Sequence, residues 1–409
     1  MMALEATIAG LRRAQPGLVA RSRDEVVDVL GDVVDGWLAP GSSWFARAAE
    51  LLPAATGFSP AMIRQALPTM LEPLRAPALA DVLAREADAR CGPSLILHVL
   101  AGNLPGLAAI PAALSLAVGS AALLKAGRGD RVFPALFTAS ITERDPALGA
   151  CVAAVYWPGG DRGCEDTVLA AVDLVVASGD DATIADLAAR ARGRFIGHGH
   201  RISFAFVARE VADDPSAAVH AAERLAEDIA IWDQRGCLSP QLCFVEGSFD
   251  AALRFGSLVA EALRPLAHSF PPAPASTADR LALRRLREDS EWRRFGGGRA
   301  AVFASERDED GTVVVEPDAS FRPTPLNRSV RVQPVADVDA LASVLAPART
   351  ALEGAGIAAA PARWTGLAER MTASGVHRIS ALGEMQRPPL DWRQGGRPRL
   401  YDWTIEAHR

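Results

Sequence analysis

Cysteine attacks as a thiolate, and a turn with free backbone N–H groups or a nearby cation favours that form. The stretch "DQRGCLSP" offers such a setting to Cys237. Gly236 leaves room for a substrate, Arg235 lies two residues away, and Pro240 fixes the turn that follows. On spacing alone the same residue also reads as an inert thiol. Cys91, Cys151, Cys164 and Cys243 fall at strand edges or in apolar strands, where packing explains them. A second candidate is Asn103 in "AGNLPG", whose amide at a strand end suits a developing oxyanion as well as it suits a turn or cap. Lys125 closes the apolar run "SAALLKAG", either to meet a ribose or phosphate or simply to snorkel from the sheet edge. Gly159 and Gly160 in "YWPGG", and Ser178 and Gly179 in "SGDD", stand beside helix starts, which suits a pyrophosphate and equally any tight turn. His198 and His200 flank Gly199; either imidazole can donate a proton near neutrality, or both serve as structural hydrogen-bonders. His98, His220, His268, His377 and His408 lack metal-ligand spacing, so no metal is expected.

These residues need elements to hold them. From about residue 94, short apolar runs alternate with helical patterns: "SLILHVLAG", "SAALLKAG", "ACVAAVYWPGG", "DLVVASG" and "RISFAFVAR" read as strands with helices between them. Four consecutive βα units predict a doubly wound sheet whose ligand lies beyond the carboxyl ends of its strands. The helix "DPSAAVHAAERLAEDIAIWD" then leads to Cys237, and "QLCFVEG" starts a second α/β domain. The Pro-rich "FPPAPAST" connects it to a charged helix, a hairpin of "GGGRAAVFAS" with "TVVVEPD", the strand and helix of "RSVRVQPVADVDALASVLAPA", and a loop-rich end with one strand around Ile379. The first ninety residues read as helices, and no internal repeat is visible.

Composition bounds the function. The chain has 409 residues, 49% of them hydrophobic and 22% charged, with a net charge of -6, as expected of a globular protein of two or three domains. No dense Lys/Arg cluster is present to grip nucleic acid. The N-terminus, rich in acidic residues, does not resemble a secretory signal, and Asn103, Pro105, Gly106 and Pro111 interrupt the most apolar stretch. A cytoplasmic location and reduced cysteines are therefore expected.

Taken in order, "AGNLPG", "LLKAG", "YWPGGD", "SGDD", "GHGHRISFAFV" and "DQRGCLSPQ" resemble the aldehyde dehydrogenase superfamily, and within it the LuxC-like acyl-CoA reductases, or fatty-acid reductases. The resemblance runs from about Ser94 to Gly247 and is looser through "LNRSVRVQPV" and "GVHRISALGE". It implies an aldehyde dehydrogenase-like fold, two doubly wound α/β domains with the active site between them. The expected division is 1–206 for the helices and the NADP-binding domain, 207–385 for the catalytic domain, and 386–409 for a tail.

The resemblance further implies that Cys237 takes the acyl group from a thioester, that the Asn103 amide and the Cys237 N–H oppose the oxyanion, and that Lys125 holds the adenosine ribose. Gly159, Gly160, Ser178 and Gly179 would then lie along the cofactor. Where hydrolytic relatives place a water-activating glutamate, this chain has Gly197 in "GHGHR"; without that base a thioacyl enzyme resists water and favours reduction. Asn327 falls near the place of a second glutamate that orients the nicotinamide ribose. NAD-selective relatives often carry a glutamate after the ribose lysine, whereas "KAGRGD" has Arg128, which can grip a 2′-phosphate or stand as a solvated charge. The expectation is an NADPH-dependent reductase turning an acyl-CoA or acyl-carrier thioester into an aldehyde, with His200 as the proton donor. The alternatives are an aldehyde dehydrogenase forming the acid or the acyl-CoA, and a non-catalytic nucleotide-binding scaffold. Family analogy adds a homo-oligomer and an acyl-activating synthetase as partner.

Overall fold

The computed structural model describes residues 2–87, 90–296, 298–305 and 310–406. It divides into two compact units, Met1–His200 with Pro389–Arg409, and Arg201–Pro388. The first unit opens with helices Met2–Val19, Arg23–Leu38, Ser43–Thr56, Pro60–Leu71 and Ala76–Glu86. Ser22, Ser42 and Ser59 begin three of them by accepting an otherwise unbonded N–H. After the short strand β1 (Arg90–Cys91) come β2 (Leu95–Val99), β3 (Ala121–Lys125), β4 (Val152–Val155), β5 (Leu174–Ser178) and β6 (Arg194–His198). These five form a parallel sheet in the order β4-β3-β2-β5-β6. Helices Ala109–Ala117, Val132–Arg144, Arg162–Leu169 and Asp181–Arg190 make the crossovers. On one face Leu97, Leu123 and Val175 pack against Leu4, Ile8 and Leu11 of the first helix and against Val168 and Leu187. The order of strand addition reverses between β2 and β5, which creates a crevice at their carboxyl ends.

The second unit carries β7 (Ile202–Val207), β8 (Pro240–Glu246), β9 (Ala301–Ala304), β10 (Thr312–Val315), β11 (Ser329–Val335), β12 (Leu352–Ala358) and β13 (Arg378–Ala381). Their order is β13-β12-β7-β8-β11-β10-β9, parallel except where β9 and β10 form the expected hairpin pair. Helices Pro215–Ala230 and Phe249–Ser269 bury one face around Cys243, Phe255 and Val332. Val338–Leu345 and Pro361–Ala373 bury the other around Phe204, Phe244 and Leu352. The chain then returns to the first unit, where β14 (Ile405–Glu406) pairs antiparallel with β1. Among the described residues no helix is long and apolar enough to cross a membrane.

Two sequence expectations are corrected. "RISFAFVAR" supplies β7 of the second sheet, while the fifth strand of the first is "RFIGH". Every residue of β7 is buried, as in a central strand covered on both faces, whereas β6 is a partly exposed edge. The units accordingly divide after His200 rather than after residue 206, and the C-terminal segment joins the first unit rather than standing as a tail. β12, "LEGAGIA", gave no apolar alternation to read. Its glycines are required by contact: a Cβ on Gly356 would stand 2.6 Å from the Met385 sulfur.

Two backbones meet where the first sheet must hold a loop. Gly102 has φ of +69°, and a Cβ built on Gly127 would lie 2.6 Å from the Gly102 Cα and 2.7 Å from the Ala101 oxygen. The loop after β2 and the turn after β3 are thus locked together by backbone contact. Gly127→Ala is expected to cost about 1–3 kcal/mol through forced backbone displacement, read as a lower urea midpoint; an unchanged midpoint contradicts the contact.

Candidate functional site

At the carboxyl edge of the first sheet, a cavity of about 410 Å³ receives Lys125 from the end of β3 and Trp157, Gly159 and Gly160 from the loop after β4. Arg162 and Glu165 of one crossover helix and Thr183 and Asp186 of the next complete its polar lining. Lys125 is half-buried; desolvation lowers its pKa, opposed by the Glu165 charge. Its Nζ stands 6.0 Å from the Trp157 ring centroid. Glu165 accepts from Arg190 at 2.6 Å and from the Gly160 N–H at 3.0 Å, and Arg162 reaches Asp186 with two bonds of 2.8 and 3.1 Å. A Cβ at Gly159 or Gly160 would meet nothing within 4 Å, so both leave bare backbone at the cavity. Apolar and aromatic walls with a Lys and a Glu suit a planar base and the hydroxyls of its ribose.

The structure brings Lys125, Gly159 and Gly160 together but not every expected cofactor residue. Ser178 and Gly179 lie outside the cavity lining, and the Gly179 N–H donates to the His198 carbonyl. The start of the next helix is capped by Asp180, whose carboxylate accepts the Thr183 N–H at 2.8 Å and is held below the usual carboxylate range by that bond first. Arg128 sits exposed on the Gly127–Asp130 turn and does not line the cavity; the cation that does, beside Lys125, is Arg162. Asn103 occupies the turn that leads to helix Ala109–Ala117, in the loop locked by Gly102. His200 is exposed, and its backbone N–H donates to Asp181 at 3.0 Å. That same carboxylate oxygen fills the space a side chain on Gly199 would need. His98 is a core residue: burial pushes its pKa to about 3, with a smaller contribution from the His198 charge, while Nε2 meets the Ser115 hydroxyl at 2.8 Å.

In the second unit Cys237 lies half-buried in a four-residue turn closed by the Ser239 N–H on the Gly236 carbonyl, at the amino end of β8. Its own carbonyl accepts from the Ser203 hydroxyl at 2.7 Å, and that hydroxyl accepts the Gly354 N–H at 2.9 Å. Cys243 is fully buried and Cys151 buried; desolvation pushes both thiols up, which suits packing rather than reaction.

Upstream of the turn, Trp232, Asp233 and Gln234 all have positive φ, between 48° and 64°. A second left-handed run, Leu326, Asn327 and Arg328, spans 56° to 64°. Such backbone is unfavourable for residues with a Cβ, and side-chain bonds hold it. Arg328 donates to Asp233 from Nε at 2.9 Å and from Nη2 at 2.7 Å, and Asp233 also accepts the Ala273 N–H at 2.9 Å. Gln234 donates to the carbonyls of Pro240 and Ser329 and accepts the Ser329 N–H, joining the starts of β8 and β11. Asn327 donates to the Pro325 carbonyl within this second turn.

Sequence reasoning missed Asp233, Gln234 and Arg328. The available signal was a pair of opposite charges, in "WDQ" and "LNRS", each bordering an apolar strand. It also missed Arg378 and Asp228. The Arg378 guanidinium donates to the carbonyls of Met385, Glu384 and Arg387. Burial lowers its pKa, opposed by charge on Asp228, Glu384 and Cys237. Asp228 accepts the N–H groups of Gly383 and Met385, yet burial pushes its carboxyl up to about 7. Among the described residues no three His, Cys, Asp or Glu side chains converge as a metal would require; His408 lies outside them.

Comparison with known proteins agrees with this layout. The profile of the acyl-CoA reductase (LuxC) family matches residues 18–397. A long-chain acyl-protein thioester reductase of Photorhabdus laumondii is 24% identical over 249 residues, covering 59% of this chain and 49% of the relative. The chain thus aligns with about half the length of that relative. An aldehyde dehydrogenase structure from Burkholderia cenocepacia superposes with a TM-score of 0.77 at 14% identity, over 98% of this chain and 90% of its own. An NADP-dependent glyceraldehyde-3-phosphate dehydrogenase from Bacillus halodurans, complexed with NADP, gives 0.74 at 15% identity, over 99% and 90%. The α/β architecture is that of the aldehyde dehydrogenases.

The clamp above Cys237 can be tested by stability. Arg328→Met strands the Asp233 carboxylate in the interior and is expected to cost about 3–5 kcal/mol. Urea unfolding measures it, and a loss under about 1 kcal/mol contradicts the clamp.

Proposed function

The chain belongs to the acyl-CoA reductase (LuxC) family, and from that premise we propose that it reduces an acyl thioester to an aldehyde through an acyl group held on Cys237. The observation that carries this reading is the placement of Cys237 alone among the cysteines on a half-buried turn braced through its own carbonyl by Ser203. In the proposed sequence the Cys237 thiolate attacks the thioester carbonyl, a new C–S bond forms, and the CoA or carrier thiolate departs. The Asn103 amide and the Cys237 N–H oppose charge on the oxygen while the carbon is tetrahedral. A nicotinamide cofactor, held by Lys125 and the backbone of Gly159 and Gly160, would supply hydride to the acyl carbon that Cys237 holds. His200, the assigned proton donor, protonates the oxygen of the resulting thiohemiacetal, and on collapse that proton returns to the imidazole as the aldehyde leaves and the Cys237 thiolate is restored. Gly197 at the position of the hydrolytic base leaves water unactivated, so the acyl group persists until it is reduced.

The Lys125 cavity fits the adenosine half of the cofactor, with Lys125 and Glu165 facing the ribose and the bare backbone of Gly159 and Gly160 admitting close approach. NADPH remains the proposed form, with Arg128, exposed on the turn after β3, the proposed phosphate partner and Arg162 the cation beside Lys125 in the cavity lining. The acyl donor is proposed to be a CoA or carrier-protein thioester supplied by an acyl-activating synthetase, and the working enzyme a homo-oligomer.

Cys237→Ala is expected to abolish aldehyde formation from acyl-CoA while NADPH binding, followed by fluorescence quenching, persists; reductase turnover in that variant refutes the mechanism. For the cofactor, Arg128→Ala is expected to lower the NADPH-to-NADH ratio of kcat/KM about tenfold, the loss of one charge-assisted phosphate contact. An unchanged ratio removes Arg128 from the phosphate site.

A further inference from the structure

We propose that Arg378 is a positioning residue for Cys237, a half-buried cation beside the strand that bonds the cysteine turn, which favours the reactive thiolate. The inference rests on the reading of Cys237 as the nucleophile and adds the group that activates it. The two residues lie far apart in sequence but are joined by strand register. β13 runs beside β12 with Arg378 opposite Gly354. The Gly354 N–H donates to Ser203 Oγ at 2.9 Å, and that hydroxyl donates to the Cys237 carbonyl at 2.7 Å. A Cβ on Gly354 would stand 3.1 Å from Cδ2 of Leu238, the residue after Cys237, and 3.7 Å from the Arg378 carbonyl oxygen. The Ser203 side chain thus bridges Gly354 to the cysteine turn, and the missing side chain of Gly354 leaves room for Leu238 and for the Arg378 carbonyl beside it.

The hydrogen bonds of Arg378 do not pair its charge with a carboxylate. Among the described residues, the side-chain hydrogen bonds of its guanidinium end on the backbone carbonyls of Met385, Glu384 and Arg387. Carbonyl dipoles satisfy the N–H groups without cancelling the charge, so a positive field persists in a low-dielectric setting. Charge on Cys237 in turn favours the Arg378 cation, and the interaction is reciprocal. The other groups facing this cation are Asp228 and Glu384, and Arg224 faces Asp228. Arg235, just before the cysteine's turn, is the nearest cation in sequence. Asp228 tempers Arg378 in proportion to its ionisation. Its bonds to the Gly383 and Met385 N–H groups hold the loop whose carbonyls receive the guanidinium.

The test is the pH dependence of Cys237 alkylation by iodoacetamide, mapped by mass spectrometry on the full chain without substrate, so that it does not depend on turnover. Arg378→Met is expected to raise the alkylation midpoint by about one pH unit or more, with about a tenfold slower reaction at neutral pH. Arg378→Lys retains part of the effect. Asp228→Asn removes the opposing charge and is expected to lower the midpoint, a shift opposite in sign that a general loosening of the turn cannot produce together with the first. Profiles for Arg378→Met and wild type that superimpose, or midpoints that move the same way in Arg378→Met and Asp228→Asn, overturn the proposal. If Arg378→Met does not fold, Arg378→Lys and Asp228→Asn decide, and an unmoved or raised midpoint in Asp228→Asn overturns it. Failure of the underlying function is distinct: Cys237 then alkylates as described while acyl-CoA yields no aldehyde.

Discussion

The buried contact between Asp233 and Arg328 governs the second unit because it holds two stretches of backbone that would otherwise relax. Six residues with side chains adopt left-handed conformations there, each unfavourable by about 1–2 kcal/mol against the right-handed alternative. A buried ion pair adds little net stability over an apolar replacement, since desolvation offsets its attraction. Its use here is conformational. The pair shares its hydrogen bonds with the Ala273 N–H and the Phe270 carbonyl, and neighbouring Gln234 binds the starts of β8 and β11. Cys237 follows this clamp by a few residues, so its turn inherits a defined origin.

Reactivity at such a turn depends on what surrounds the sulfur rather than on the cysteine itself. Cys243, a few residues further on, is enclosed by apolar side chains and pushed towards the neutral thiol. Cys237 instead sits on a turn whose carbonyl Ser203 ties to Gly354, the register partner of Arg378. The first unit uses the same economy. Gly102 and Gly127 touch backbone to backbone, which fixes the Asn103 loop against the turn that follows Lys125. Around the cavity, Lys125 and Arg162 face Glu165 and Asp186, so the charges balance and recognition rests on shape and hydrogen bonds as much as on net field.

Much of the fold was legible because parallel strands covered on both faces are written as short apolar runs. "SLILHVLAG", "SAALLKAG" and "DLVVASG" all became strands of the first sheet. β6 was hidden by its exposed edge position and β12 by its small residues, because neither carries an apolar pattern. Lys125, Gly159 and Gly160 were legible as strand-end residues and do share a cavity. Arg128 was read from the place where relatives carry a glutamate, and the tight Gly127–Asp130 turn holds it exposed, outside the lining of this cavity.

What the sequence determined by itself was the set of local choices: which runs are strands, which turns need glycine, and which cysteine follows a helix instead of filling a strand. Those depend on neighbours within a few residues, and their physics is complete at that range. The partners were decided only in three dimensions. Arg328 meets Asp233, and Gly354 stands opposite Arg378 while bonding the Ser203 that holds the Cys237 carbonyl, across long stretches of chain, because sheet order and register set those distances. No local pattern encodes that register; it emerges when both faces of the sheet are buried at once.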